Sequence, residues 1–163
     1  LSALGRATDE ETRVYLTGGS TAVLLGWRSS TVDADLLIEP ERDALYGALP
    51  RLKEELQLNV ELANPAQFIP ELPGWRDRSL FIGREGGVSF YHYDLYAQAL
   101  AKVERGHGKD LADVEEMIRR GLVTPARLRE LFLAIEPRLD RYPAVDPPSF
   151  RRRLEELLAR VSP

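Results

Sequence analysis

A glycine pair set between an apolar run and an acid-bearing strand constrains this chain more than any other feature. The stretch runs from Val14 to Glu39, VYLTGGSTAVLLGWRSSTVDADLLIE. Val14 to Leu16 reads as a short strand, Gly18 and Gly19 as a turn, and Ser20 as a helix N-cap, because a serine hydroxyl accepts a hydrogen bond from a first-turn amide. Glycine lets the backbone take positive φ and come close to a bound group, and the amides at a helix start attract phosphate. Gly18, Gly19 and Ser20 are therefore the candidate phosphate-binding residues. A second strand is expected from Val32 to Glu39. It carries Asp33 and Asp35, two residues apart and so on one face. Aspartate is disfavoured in strands, and this pair runs into Leu36, Leu37 and Ile38. Either the acids line a solvated strand end, or a cation sits between them and relieves their repulsion. Mg²⁺ takes one or two carboxylates together with phosphate oxygens, which makes Asp33 and Asp35 candidate metal ligands.

The 163 residues suffice for one domain with a core, or for a small domain with a helical extension. Apolar content of 44% and charge of 29% are ordinary for a globular chain. No apolar run reaches membrane-spanning length. No stretch reads as a signal peptide, and Leu1 in place of a starting Met leaves room for residues upstream. The sequence holds no cysteine, which removes disulfides, thiolate catalysis and cysteine-based zinc sites and fits a cytoplasmic location. With a net charge of −4, any nucleic-acid contact must come from a local group of Arg and Lys.

Around this stretch the pattern is mixed, then helical. ATDEET suggests a short helix before the first strand. From Pro40 the apolar residues recur at helical spacing through Leu56, with a break or kink expected at Pro50. Leu58 to Leu62 alternates as a strand. A proline-rich loop, NPAQFIPELPGWRDR, carries Phe68, Trp75, Arg76 and Arg78. Leu80 to Arg84 and Val88 to Tyr93 form a hairpin across Gly86 and Gly87. Phe90, His92 and Asp94 are expected on one face of its second strand. Helices follow over Leu95 to Arg105, Lys109 to Arg120, Thr124 (N-cap) to Leu139, and Pro148 to Val161. The fold class is therefore α/β (α+β): residues 1–94 form a core with a small mixed sheet flanked by helices, and residues 95–163 form a helical C-terminal part.

Asp94 is the candidate third acid; its alternative role is a helix N-cap. Glu61 is the alternative acid, on a strand whose other residues on that side are polar. Lys102, Arg105 and Lys109 gather around the Gly106–Gly108 turn, where cations can neutralise developing phosphate charge or simply pair along helices. Arg28 lies just before the acid strand, facing either a phosphate pocket or solvent. The P-loop lysine, the dinucleotide G-x-G-x-x-G and the G-x-S-x-G elbow are all missing.

Gly18-Gly19-Ser20, a helix, then Asp33-Ala34-Asp35 on the next strand resembles the signature of the nucleotidyltransferase superfamily related to DNA polymerase beta. Within it, the chain is similar to small bacterial nucleotidyltransferase-like proteins, including the AbiEii type of toxin–antitoxin systems. In the toxin-related members a Lys and an Arg precede a basic-Asp-x-x-Asp run. Lys102, Arg105, Lys109, Asp110 and Asp113 follow that order, with a longer interval from Asp94 than expected. The resemblance implies a nucleotidyltransferase-type sheet and Mg²⁺ (or Mn²⁺) on Asp33, Asp35 and Asp94. It also implies an NTP held by Gly18, Gly19, Ser20, Arg28, Arg105 and Lys109, with Lys102 in catalysis. The expected reaction moves a nucleoside monophosphate to a hydroxyl acceptor, an RNA (tRNA) end or a protein side chain, and a cognate toxin or antitoxin is an expected partner. The alternative is a catalytically inactive binding module or antitoxin-type partner on the same fold.

Overall fold

The computed structural model describes residues 1–162. The chain divides into two compact units. The first comprises Leu1–Asn64 and Ser79–Tyr93; the second comprises Pro65–Arg78 and the chain from Asp94 on.

The first unit is built on a five-stranded mixed sheet. Its elements are α1 (Ser2–Gly5), β1 (Thr12–Thr17), α2 (Gly19–Leu24), β2 (Asp33–Glu39), α3 (Asp43–Leu56), β3 (Asn59–Leu62), β4 (Leu80–Glu85) and β5 (Val88–His92). The strand order is β3-β2-β1-β5-β4. β1 pairs antiparallel with β2 and parallel with β5. β2 pairs parallel with β3, and β4 antiparallel with β5. Alternation sorts the side chains. Val14, Leu16, Leu36, Ile38, Val60, Val88 and Phe90 point to one face, where they join Leu4 of α1 and Leu45, Leu49 and Leu52 of α3 in a single apolar core. Asp33, Asp35 and Leu37 point to the opposite face, as do Tyr15 and Tyr91, whose rings stack at 5.4 Å.

Two sequence expectations are corrected here. The first helix is Ser2–Gly5, not ATDEET. In that segment the Thr8 hydroxyl takes the Glu10 amide and the Thr12 hydroxyl donates to the Glu10 carbonyl, so local side-chain bonds replace helical ones. Helix α3 also runs through Pro50 unbroken. Pro50 is exposed, and the buried stripe Leu45, Leu49 and Leu52 holds both halves against the sheet. That burial outweighs one lost backbone bond.

The second unit is helical: α4 (Trp75–Arg78), α5 (Leu95–Arg105), α6 (Gly108–Arg119), α7 (Pro125–Ile135) and α8 (Pro147–Val161). Helix α5 packs on α6, α7 and α8. Its C-terminus closes at Gly106, φ 71°. Thr124 caps α7 by accepting the Arg127 amide at 3.3 Å, with Pro125 in the first turn. That helix stops at Ile135, short of the expected Leu139, and Glu136–Arg141 tightens into a 3₁₀ turn around Pro137. The proline-rich loop belongs to this unit. Tyr142 Oη donates to Ala66 O at 2.8 Å, Arg138 donates to Glu71 O at 2.9 Å, and Trp75 is buried with the Arg76 guanidinium over its ring at 4.3 Å. Among the described residues no helix is long and apolar enough to cross a membrane.

Candidate functional site

The glycine turn and the acid strand meet within the first unit. Gly18 occupies the N-cap of α2 at φ 69°, ψ −135°, a conformation open to glycine. Ser20 is therefore not the cap. It lies inside the helix, and its hydroxyl donates to Thr17 O at 3.2 Å. Positive φ at Gly18 lets the helix begin two residues earlier than a cap at Ser20 would.

Register then brings the acids to the turn. Thr17 pairs with Asp35 across β1 and β2. A Cβ built on Gly18 would stand 2.8 Å from Asp35 Oδ2, and one on Gly19 would stand 2.4 Å from Thr31 Oγ1. The missing side chains thus let β2 lie directly against the turn. On the other side of β2, Asp33 pairs with Asn59 and Asp35 with Glu61. Paired residues of neighbouring strands share a face, so Asp33, Asp35 and Glu61 face the same way. The Asn59 amide donates to Asp33 Oδ1 at 3.2 Å and to Glu61 Oε1 at 2.9 Å. Arg28 is half-buried after α2, its amide bonded to Ala22 O at 3.2 Å.

These donors are all hard oxygens, which suits Mg²⁺ or Mn²⁺, and the glycine-lined gap beside Asp35 is closed to any side chain at position 18. Among the described residues no three His, Cys, Asp or Glu side chains gather closely enough to hold a metal ion by themselves. A dication at this pair would therefore complete its coordination with non-protein oxygens, as Mg²⁺ commonly does with phosphates.

The remaining candidates lie in the second unit. Asp94 does not continue the β5 alternation. The strand ends at His92, and Asp94 is the N-cap of α5, its Oδ1 taking the Tyr96 amide at 3.1 Å. Its Oδ2 takes Arg78 Nε at 3.1 Å and Nη2 at 2.7 Å. Burial pushes this carboxyl above the usual range while Arg78 pulls it down. His92 instead faces Thr21, Nδ1 to Oγ1 3.3 Å, and burial lowers its pKa. Lys102 is buried, with Nζ 2.8 Å from Asp113 Oδ2 and 3.4 Å from Asp110 Oδ1. Arg105 reaches Asp110 Oδ1 at 2.8 Å, and Lys109 is exposed. The cluster is thus an ion network between α5 and α6.

A family model described as "Nucleotidyltransferase of unknown function (DUF6036)" matches residues 2–142. The chain belongs to this nucleotidyltransferase family. The match spans the glycine turn, the acid strand and the helices through α7. No curated protein matches the chain, and no solved structure does. Within this nucleotidyltransferase-family chain, sequence reasoning ranked Glu61 below Asp94 and passed over Thr31 and Asn59. Val60-Glu61-Leu62, an acid between two apolar residues on a strand, was the available signal for the first. For Thr31, the signal was a hydroxyl two residues before Asp33, where threonine bonds the backbone ahead of it.

Proposed function

We propose that this protein transfers a nucleoside monophosphate from an NTP to a hydroxyl acceptor, with Mg²⁺ or Mn²⁺, and releases pyrophosphate. The observation that carries this reading is the packing of Gly18 directly against Asp35, which sets the start of helix α2, with its free amides, beside a pair of acids. Asp33 and Asp35 would hold the cation. Glu61 shares their face opposite Asp35 and is held by the Asn59 amide, while both oxygens of Asp94 are taken by Arg78 and the Tyr96 amide, so phosphate oxygens would complete the coordination. Backbone amides at Gly19 and Ser20 would bind the terminal phosphates, with Arg28 adding positive charge. A bound dication would neutralise phosphate charge and make the attacking hydroxyl more acidic. The acids of the chain orient the two reactants for in-line displacement, and the turn keeps the triphosphate in one register.

The acceptor in this reading is an RNA end, such as that of a tRNA, or a protein side chain. The order of Lys102, Arg105, Asp110 and Asp113 supports a toxin–antitoxin setting with a cognate partner. The net charge of −4 argues against broad electrostatic attachment to nucleic acid.

Ligand that binds only the native state raises its melting temperature. The expected result is a rise with NTP plus Mg²⁺ or Mn²⁺ that disappears in Asp33→Asn/Asp35→Asn. Transfer of label from an α-phosphate-labelled NTP to RNA or protein then reads the reaction. A thermal shift without transfer marks a nucleotide-binding module. A shift that survives in the double variant moves the cation elsewhere.

A further inference from the structure

We infer that Thr31 is a positioning residue which sets the distance between the glycine turn and Asp33, and that Gly19 is glycine because the Thr31 side chain fills the place of its Cβ. This deepens the reading above and rests on it for its functional half. Two observations carry it, both within the first unit. The Thr31 hydroxyl is bonded at both ends to one residue: it donates to Asp33 O at 3.0 Å and accepts from Asp33 N at 3.2 Å. The backbone that presents the Asp33 carboxylate is therefore tied to this one side chain before the strand begins. The same side chain lies across the turn. A Cβ on Gly19 would meet its Oγ1 at 2.4 Å, its Cβ at 3.1 Å and its Cγ2 at 3.8 Å.

Gly19 is not at a positive φ, so the backbone there accepts alanine. What excludes a side chain is Thr31. The turn and the acid strand are consequently registered to each other through one hydroxyl-bearing side chain, and a shift in either is passed to the other. Serine would keep the hydroxyl bonds. Valine would keep the shape and lose them.

Stability of Gly19→Ala, Thr31→Ala and the double variant decides the packing half, whether or not any ligand binds. Gly19→Ala alone is expected to lower the melting temperature by roughly 5 °C through overpacking. The double variant should recover most of that loss, because removing Oγ1 and Cγ2 opens the space. Additive losses would overturn the inference, since neighbours that share a clash must couple. The functional half is read by Mn²⁺–NTP affinity and by hydrogen exchange at the Asp33 amide. Thr31→Val should expose that amide to exchange and weaken binding by about tenfold, the scale of losing a group that orients a ligand, while Thr31→Ser stays near wild type. Wild-type exchange in Thr31→Val would overturn the positioning role. If the wild-type protein binds no nucleotide, the proposed reaction falls, and the exchange and stability measurements still decide Thr31.

Discussion

Both carboxylate oxygens of Asp94 are engaged, Oδ1 by the Tyr96 amide and Oδ2 by the Arg78 guanidinium. Asn and Asp rank alike at N-caps, so Asp94→Asn keeps the cap and loses the charge opposite Arg78. Asp94 is fully buried while Arg78 keeps some access to water and a second bond to Pro73 O. The expected cost is about 2 kcal/mol of unfolding free energy, below the full cost of splitting a wholly buried pair. Denaturant unfolding measures it. Wild-type stability with lost Mn²⁺ binding would instead make Asp94 a ligand. The sequence pattern misplaced this residue for a definite reason. Alternation assigns Asp94 to the His92 face only if the strand continues, and β5 ends at His92. Chain direction changes there, and no period-two pattern registers that.

Elements with punctuation at their ends were the legible ones. The hairpin turn at Gly86 and Gly87, the Gly106 close of α5 and the Thr124–Pro125 start of α7 all lie where their local chemistry puts them. The join between α5 and α6 was less so. Lys102 reads as surface charge or as an active-site cation, and Asp110 and Asp113 as acids sharing a helix face, yet all three are buried, with the Lys102 ammonium bonded to both carboxylates. Their pairing depends on how two helices fold back across Gly106–Gly108, a relation outside any single helical repeat. Lys102→Met takes the ammonium from between two buried carboxylates. A loss of about 3 kcal/mol is expected, or a melting temperature lower by roughly 10 °C. Calorimetry checks this. An unchanged transition would mean the network contributes nothing to α5–α6 packing. The position of Glu61 was obscured similarly. Its strand was foreseen, but that β3 lies beside β2, with Glu61 opposite Asp35, is a fact of strand order.

At the scale of the molecule, the mixed α/β class followed from alternation before residue 94 and helical spacing after it. The assignment of residues 65–78 did not, because prolines conceal which unit a loop packs on until its partners are known. Strand order has a further consequence for how the protein is made. β1 is the middle strand of the sheet, and while β2 follows it within one short helix and turn, its other neighbour is β5, Val88–His92. A ribosome delivers Thr12–Thr17 long before that neighbour emerges. Through this interval the nascent chain carries a hydrophobic strand with one open hydrogen-bonding edge, the arrangement that recruits other strands. Fragments released with Asn64 at their end should therefore pellet on centrifugation or hold chaperones, whereas the full chain should not. Equal recovery of both in the supernatant would show that the open edge is shielded some other way. Synthesis, on this account, passes its most vulnerable point just before the hairpin that completes the sheet.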